Sequence, residues 1–580
     1  MGFFEQFAVF MGSIADLATS PHAIFLLFGS VILGIIFGAM PGLTATLGVA
    51  LLTTLTYGMD KAHAMVALMG IYVGGVYGGS YASILINIPG TAAAAATALD
   101  GYPLACRGEG GKALGMTTTA STIGTLVGMV FVVALSPVIA AFALEFTSWE
   151  FFLLALFGII ISGTLTSPDL VVKGWISGFI GLFLACMGRD KLQFFPRYTF
   201  GFPEMDMGIE IVPVLIGAFG IPQIIQTLRG SSCVAEAKKF HRILPEFKAI
   251  TRNIVHIIRS SLIGVGIGAV PGIGEDIAGW VSYGAAKNAS KHPEDFGKGR
   301  YEAVISTETA NNSCIGGAMI TLLNLGIPGS PPAAMLLGAL MLHGVKPGPM
   351  ITFEHPTFII EVASILLLAS AAMWICGMLL AKQVVKVLRI PPQLFMPIIG
   401  VLCIIGSYAL GLNIFNLYLM LIVGVVAYFL TEMGYPIAPL VIGVILGPMF
   451  DANLRRALML DQGSFMPIFN RPVAFILFFL IVMTMLTQIP PIRRLKDYVV
   501  GKIWSFLVLV LKRWPKQVLW GQSGENKQNL VAAIACALLA GCGILAAFSL
   551  SLALFLMVII TAAYVLYLQY RKSPEHGNEG

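Results

Sequence analysis

Charge is what this sequence has least of. Only 11% of its 580 residues are charged, against about 25% in an ordinary soluble domain. Hydrophobic residues make up 57%, more than a soluble core of this length can hide. Catalytic spacings are missing too: there is no Ser-His-Asp arrangement, no HExxH and no Walker loop. Gly264-x-Gly266-x-Gly268 lacks the strand–turn–helix setting of a nucleotide turn. An enzyme is therefore not expected. Cys106, Cys186, Cys233, Cys314, Cys376, Cys403, Cys536 and Cys542 are scattered, with no CxxC and no paired His, so they read as small core hydrophobes and not as metal ligands. No cofactor is expected. The first twenty residues put no Lys or Arg ahead of an apolar run, so a removable signal peptide is not expected and the chain should keep its own N-terminus.

What is there is a series of apolar runs. Crossing about 30 Å of hydrocarbon takes roughly 20 helical residues. Such runs lie near 21–40, 62–88, 117–143, 148–165, 170–187, 209–227, 303–325, 357–381, 392–411, 413–433, 436–450, 472–490, 529–548 and 549–569. Shorter apolar pieces near 43–58, 90–99, 258–270, 272–287 and 328–342 read as half-helices. The expected class is an all-α polytopic membrane protein.

The formal charge of +6 could suggest nucleic acid, but the basic residues sit in short loops, where they report orientation. Arg229, Lys238, Lys239, Arg242, Lys248, Arg252 and Arg259 place segment 229–259 in the cytoplasm. Lys382, Lys386 and Arg389 mark another inner loop, whereas the matching point of the first half, around Glu145 and Glu150, has no basic residue. Opposite loop charge at matching positions indicates repeats of inverted topology, although Arg189, Lys191 and Arg197 fit it poorly. The expected division is a first repeat over 1–228, a connecting loop over 229–259, a second repeat over 260–492 and an extension over 493–580. In that extension a basic stretch, with an apolar piece at 503–511 lying along the membrane surface, precedes a C-terminal helical hairpin.

The repeats share more than loop charge. Gly34-x-x-x-Gly38-Ala39-Met40-Pro41-Gly42 recurs as Gly264-x-x-x-Gly268-Ala269-Val270-Pro271-Gly272. Gly78-Gly79, followed by Asn87-Ile88-Pro89-Gly90-Thr91, recurs as Gly316-Gly317, followed by Gly326-Ile327-Pro328-Gly329-Ser330. Ile176, Gly178, Phe183, Leu184, Met187 and Gly188 match Ile422, Gly424, Phe429, Leu430, Met433 and Gly434, and Pro213-x-Leu215-Ile216-Gly217 matches Pro439-x-Val441-Ile442-Gly443. One Pro-Gly step alone most simply kinks a helix; the same steps in the same order twice point to a transporter.

Pro removes a backbone donor and Gly accepts conformations other residues avoid, so Pro-Gly breaks a helix at membrane depth, where freed backbone groups must face protein or water. A half-helix beginning there points its positive end at the cavity, and four such ends could converge on a carboxylate. Polar residues near the breaks are Thr44, Thr46, Ser80, Ser83, Asn87 and Thr91, then Asp276, Glu308, Asn311, Asn312, Asn324 and Ser330. Asp276 and Glu308 are the costliest to bury and suggest a coupling-ion site for Na+ or H+. The competing reading puts Glu308 near a membrane surface, beside Lys or Arg of the polar segment 287–302.

At these motifs the chain resembles the large membrane subunit of the tripartite tricarboxylate transporters, over about residues 15–490. The residues carrying the resemblance are Gly38 to Thr44, Tyr77 to Ser80, Asn87 to Thr91, Asp100-Gly101-Tyr102-Pro103, Pro271 to Gly274 with Asp276, Glu308 to Asn312, and Gly326 to Ser330. Gly344-x-x-Pro347-Gly348-Pro349 and Gly447-Pro448 with Asn453 to Leu458 add to it. Glu275 and Asn324 depart from the pattern, and the tail after about 495 exceeds it. The resemblance implies cation-coupled uptake of citrate-like di- and tricarboxylates across the bacterial inner membrane. It also implies an extracytoplasmic solute-binding protein and a small membrane subunit as partners; a homodimer is compatible with it. The candidate substrate-binding residues are Pro41, Gly42, Thr44, Ser80, Asn87, Pro89, Gly90, Thr91, Pro271, Gly272, Asn311, Asn312, Asn324, Pro328, Gly329 and Ser330, with Asp276 and Glu308 for the coupling ion. The alternative is a channel-like or solute-sensing membrane protein on the same fold.

Overall fold

The computed structural model describes residues 3–166, 170–190, 192–230, 243, 247–388, 390–409 and 412–488. The first half contains α1 (Phe3–Thr19), α2 (Pro21–Ala39), α3 (Ala45–Leu55), α4 (Lys61–Ile86), α5 (Ala95–Cys106), α6 (Gly110–Ala143), α7 (Ser148–Thr166), α8 (Val171–Ala185) and α9 (Ile211–Arg229). After it come α10 (Phe247–Arg252), α11 (Ile254–Gly268), α12 (Gly274–Ala289), α13 (Tyr301–Leu325), α14 (Pro331–Leu342), α15 (Ile351–Glu354), α16 (Phe358–Leu379) and α17 (Ala381–Val387). The last five are α18 (Met396–Ala409), α19 (Ile414–Glu432), α20 (Ile437–Leu460), α21 (Pro467–Asn470) and α22 (Pro472–Leu486). Among the described residues the only strands are Gly188–Arg189 and Pro196–Arg197, an antiparallel ribbon. The molecule is thus an all-α polytopic membrane protein, with nine helices among the described residues long and apolar enough to cross a bilayer.

Several elements differ from expectation. Helices α8 and α22, expected as full spans over 170–187 and 472–490, are 15 residues long and fall short of the nine. Helix α1 was not anticipated, because Glu5 and Asp16 interrupt its apolar pattern. Helix α20 continues to Leu460, ten residues past the expected end, so Asn453 to Leu458 are helical. Helix α13 is not among the nine: Thr307, Glu308, Asn311 and Asn312 lower its hydropathy, yet nearly every residue is buried in protein. The interfacial piece and hairpin expected after residue 493 lie outside the described residues, as do 231–242 and 244–246 of the expected 229–259 loop; the end of that segment holds α10 and the first turns of α11.

The chain divides into two compact units. Of the described residues, the smaller holds 147–160 and 453–488. There Glu150, 1% exposed, accepts from Thr147 N at 2.8 Å and from Arg471 Nε at 2.5 Å. Trp149 Nε1 donates to Asp461 Oδ2 at 2.7 Å.

The larger unit holds 3–146 and 161–452, and glycines set its helix packing. Lipid gives helices no hydrophobic reason to associate, so close backbone approach through small residues must supply it. A methyl on Gly34 of α2 would lie 2.8 Å from Gly75 N of α4, and Gly38 abuts Gly75 and Gly78. The second half repeats the arrangement, Gly264 and Gly268 of α11 abutting Ala310, Cys314 and Ala318 of α13. The halves also exchange contacts. Gly124 and Gly128 of α6 abut Thr309, Ser313 and Gly316 of α13, while Gly377 of α16 abuts Tyr77 of α4. Likewise α8 meets α20 through Gly178, Gly181 and Gly443, and α9 meets α19 through Gly217 and Gly424.

Candidate functional site

The breaks have matched backbone geometry. Helix α2 gives way to Pro41-Gly42, with Gly42 at φ +89°, and α11 to Pro271-Gly272, with Gly272 at φ +77°. Helix α4 ends on Asn87 at φ +58° and α13 on Gly326 at φ +70°. A left-handed residue closes each helix, a place glycine takes most easily and asparagine next. Thr91 and Ser330 are both extended and lead into the following turns, a 3-10 turn at Ala92–Ala94 ahead of α5 and α14 itself. Thr44 Oγ1 caps α3 through Leu47 N at 3.1 Å, and Ser330 Oγ caps α14 through Ala333 N at 3.3 Å.

Within each half the two breaks touch. Gly90 rests on the Gly38 carbonyl and Gly329 on the Gly268 carbonyl, and a side chain at either position would collide with backbone. Between halves they pair crosswise: α3 packs on α14, and α12 packs on the 3-10 turn and α5. Four helix starts therefore gather where the halves interleave. No Lys or Arg stands in the first turns of α3, α5, α12 or α14.

The candidate residues divide by surroundings. Asn87 and Pro89 are exposed, whereas Pro328, Gly329 and Ser330 are buried. Asn311 Nδ2 donates to Ala93 O at 2.8 Å, joining α13 to the first-half break, and the exposed Asp276 lies against the Ala93 backbone amide. Ser80 bonds its own helix at Tyr77 O. Asn312 Nδ2 reaches Thr125 Oγ1 of α6 at 3.3 Å, and Asn324 Nδ2 reaches Ser136 Oγ of α6 at 3.0 Å, away from the Ile-Pro-Gly turn beside it. Both are helix-to-helix contacts. Thr91 Oγ1, Asn311 Oδ1 and Asn312 Oδ1 are buried without a hydrogen-bond partner.

Glu308 does not sit at a surface. It is 0% exposed and bonds Thr97 Oγ1 of α5 at 2.5 Å and Ser121 Oγ of α6 at 3.2 Å. The reading that paired it with Lys or Arg of 287–302 is overturned. Glu275, flagged by sequence only as a departure, is 3% exposed. It accepts from the Tyr72 hydroxyl of α4, which lies 2.8 Å from Ser330 Oγ. Asp100, quoted earlier only within a motif, accepts from Gly297 N, Gly299 N, Arg300 N and the Tyr283 hydroxyl at 2.7–3.0 Å. Tyr72, Thr97 and Ser121 gave no signal in sequence, since Tyr, Thr and Ser are common in apolar helices. Among the described residues one His and acid group, His292, Glu294 and Asp295, could reach a single ion; it is largely exposed, and Asp295 faces Arg300 at 3.8 Å.

The model of the tripartite tricarboxylate transporter TctA family matches residues 24–442. The chain is similar to an uncharacterised 52.8 kDa protein in the TAR-I ttuC' 3' region of Agrobacterium vitis. The two are 33% identical over 489 residues, 83% of this chain and 97% of that protein. It is also similar to an uncharacterised protein in the TAR-II ttuC' 3' region of the same organism, 34% identical over 234 residues, 40% of this chain and 97% of that protein. No solved structure matches the chain.

Proposed function

The chain belongs to the tripartite tricarboxylate transporter TctA family, a transporter component and not an enzyme, and from that membership we propose that it carries small di- or tricarboxylates inward by cation-coupled secondary transport. A binding protein outside the bacterial inner membrane delivers the substrate, and a small membrane subunit completes the assembly. The observation that carries this reading is the crosswise meeting of four Pro-Gly-initiated helix starts. Backbone donors and the positive ends of helix dipoles suit a carboxylate, and Thr44, Thr91, Asn311 and Ser330 are the polar side chains beside them. A cation is required on simple charge grounds. Glu275 and Asp276 open α12, and an anionic substrate nearby is repelled unless a cation enters with it. Asp276 and Glu308 are the coupling groups in this reading, and the halves, inverted about the 229–259 loop, alternate access around the site.

The experiment is uptake of radiolabelled di- and tricarboxylates into proteoliposomes holding this chain, its small subunit and its binding protein. Accumulation driven by an imposed sodium or proton gradient is the expected result. Downhill equilibration indifferent to any gradient would favour a channel, and no uptake of any carboxylate would sink the substrate class.

A further inference from the structure

The stretch between α8 and α9 turns its large apolar side chains outward. Phe194, Phe195, Tyr198, Phe200, Phe202 and Met207 are each 53–91% exposed, six within fourteen residues, and a surface in water rarely gathers so much apolar area. Three of them, Phe194, Tyr198 and Phe200, hold φ between +50° and +57°, a backbone region that bulky side chains enter only at a cost. Two arginines of the stretch are taken up by ion pairs within the protein. Arg197 makes a two-pronged pair with Asp451 of α20 at 3.0 and 2.7 Å, and Arg189 Nη2 donates to Asp206 Oδ2 at 2.7 Å. These are two of the basic residues that fitted inverted loop charge poorly, and their pairing with acids leaves the rings to dominate the outer surface.

The depth of this stretch follows from α8 and α9. Lys173, in the first turn of α8, donates to Met433 O just past the end of α19 at 2.6 Å, and Arg229, the last residue of α9, lies 3.8 Å from Glu432 at the same end. Those two helix ends share one membrane face. The stretch joining the other two ends therefore lies at the opposite face, which is the outer one when 229–259 is cytoplasmic. Helix α8 has 15 residues, about 22 Å of rise, and leaves several ångströms of a roughly 30 Å hydrocarbon layer uncovered. Val172, Ile176, Phe179 and Phe183 form an exposed stripe along α8 at helical spacing, the side that meets lipid. At its end the Phe183 ring meets the Tyr198 ring, centroids 5.2 Å apart, so the aromatic surface continues the lipid-facing stripe without a break. We propose that residues 194–207 form an aromatic apron seated at the headgroup–acyl boundary of the outer leaflet, with the lipid surface as its partner. The proposal does not depend on which solute is carried. Clamped through Arg197 to Asp451, the apron fixes the depth of α8 and of that part of α20.

The test is photolabelling of the wild-type full chain in nanodiscs of phosphatidylcholine that carries a diazirine close to its glycerol backbone, with adducts mapped by mass spectrometry. Adducts are expected on 194–207 at a yield comparable to that on the α8 stripe and well above that on the exposed polar segment 291–294. Spin labels on single cysteines in a cysteine-free full chain give a second measurement. Phe195→Cys and Phe200→Cys are compared with Phe179→Cys on the α8 stripe and with His292→Cys in the polar segment. The ratio of oxygen to nickel-chelate collision rates should be higher at 195 and 200 than at 292 and lower than at 179, the order that interfacial depth imposes. A segment 194–207 free of adducts, or a collision ratio there equal to that at 292, would show a surface in water and overturn the proposal. Adducts that vanish when the small subunit and binding protein are added would also overturn it, because the rings would then form a protein interface. Low accessibility to both collision reagents in the chain alone would mean that a second copy covers them, with the same consequence.

Discussion

Gly90 and Gly329 leave no space for a side chain, because each sits on the carbonyl of a glycine one helix away. Replacing either with valine should overpack the break by about 1–3 kcal/mol and abolish carboxylate uptake at normal expression; retained uptake would reduce the breaks to packing features. Gly266 supplies the control. It lies on α11 between Gly264 and Gly268, yet an added methyl would meet nothing within 4 Å. Gly266→Ala should leave uptake unchanged and hold or raise Tm, since alanine favours helix by up to about 1 kcal/mol over glycine. Asp100 tests a different kind of fit. Three backbone donors and one hydroxyl end on its carboxylate, and an unpartnered buried donor costs about 1–3 kcal/mol. Asp100→Ala should therefore lower Tm by several degrees, while an unchanged melting curve would show that water replaces the carboxylate.

At the scale of elements, the apolar runs and Pro-Gly steps made most helices readable, including α3, α11, α12 and α14 as half-length pieces. Their length follows from punctuation that is local: Pro41, Pro271, Pro89 and Pro328 interrupt runs that hydropathy alone would join. Partnership was less readable. That α13 packs on both α11 and α6 depends on Gly264, Gly268, Gly124 and Gly128 lying on facing surfaces, and in a chain with 64 glycines no local pattern singles those out. The same holds for the carboxylates. Sequence marked Glu308 as costly, but its partners Thr97 and Ser121 lie 211 and 187 positions away, beyond any spacing rule. Asp276 and Glu275 are neighbours in sequence with opposite environments, because successive residues of a helix point about 100° apart. Asp276→Asn should weaken cation dependence of uptake, with insertion unaffected, if its charge is part of the coupling; cation dependence equal to wild type would exclude that role.

At the scale of the whole molecule, the two Ile-Pro-Gly turns share backbone geometry but not exposure. In the first-half turn Asn87 and Pro89 are open while Gly90 and Thr91 are covered, whereas Ile327 to Ser330 are all covered, and the Tyr72 hydroxyl joins Glu275 and Ser330 across the halves on the covered side. In the alternating-access reading proposed above, matched turns in unequal surroundings would be one state of a cycle in which only one side of the site is open at a time. The arrangement makes a directional prediction for single cysteines in a cysteine-free background. Asn87→Cys should react readily with a membrane-impermeant maleimide and Pro328→Cys should not. Tyr72→Phe removes the hydroxyl that bridges Glu275 and Ser330, leaving a buried carboxylate short of a donor. It should shift the balance so that Pro328→Cys becomes reactive and Asn87→Cys less so. The change is to be read as the ratio of labelling rates at the two positions. If Tyr72→Phe alters neither rate while uptake continues, the difference in exposure is a fixed asymmetry of the two halves and not one state of a cycle.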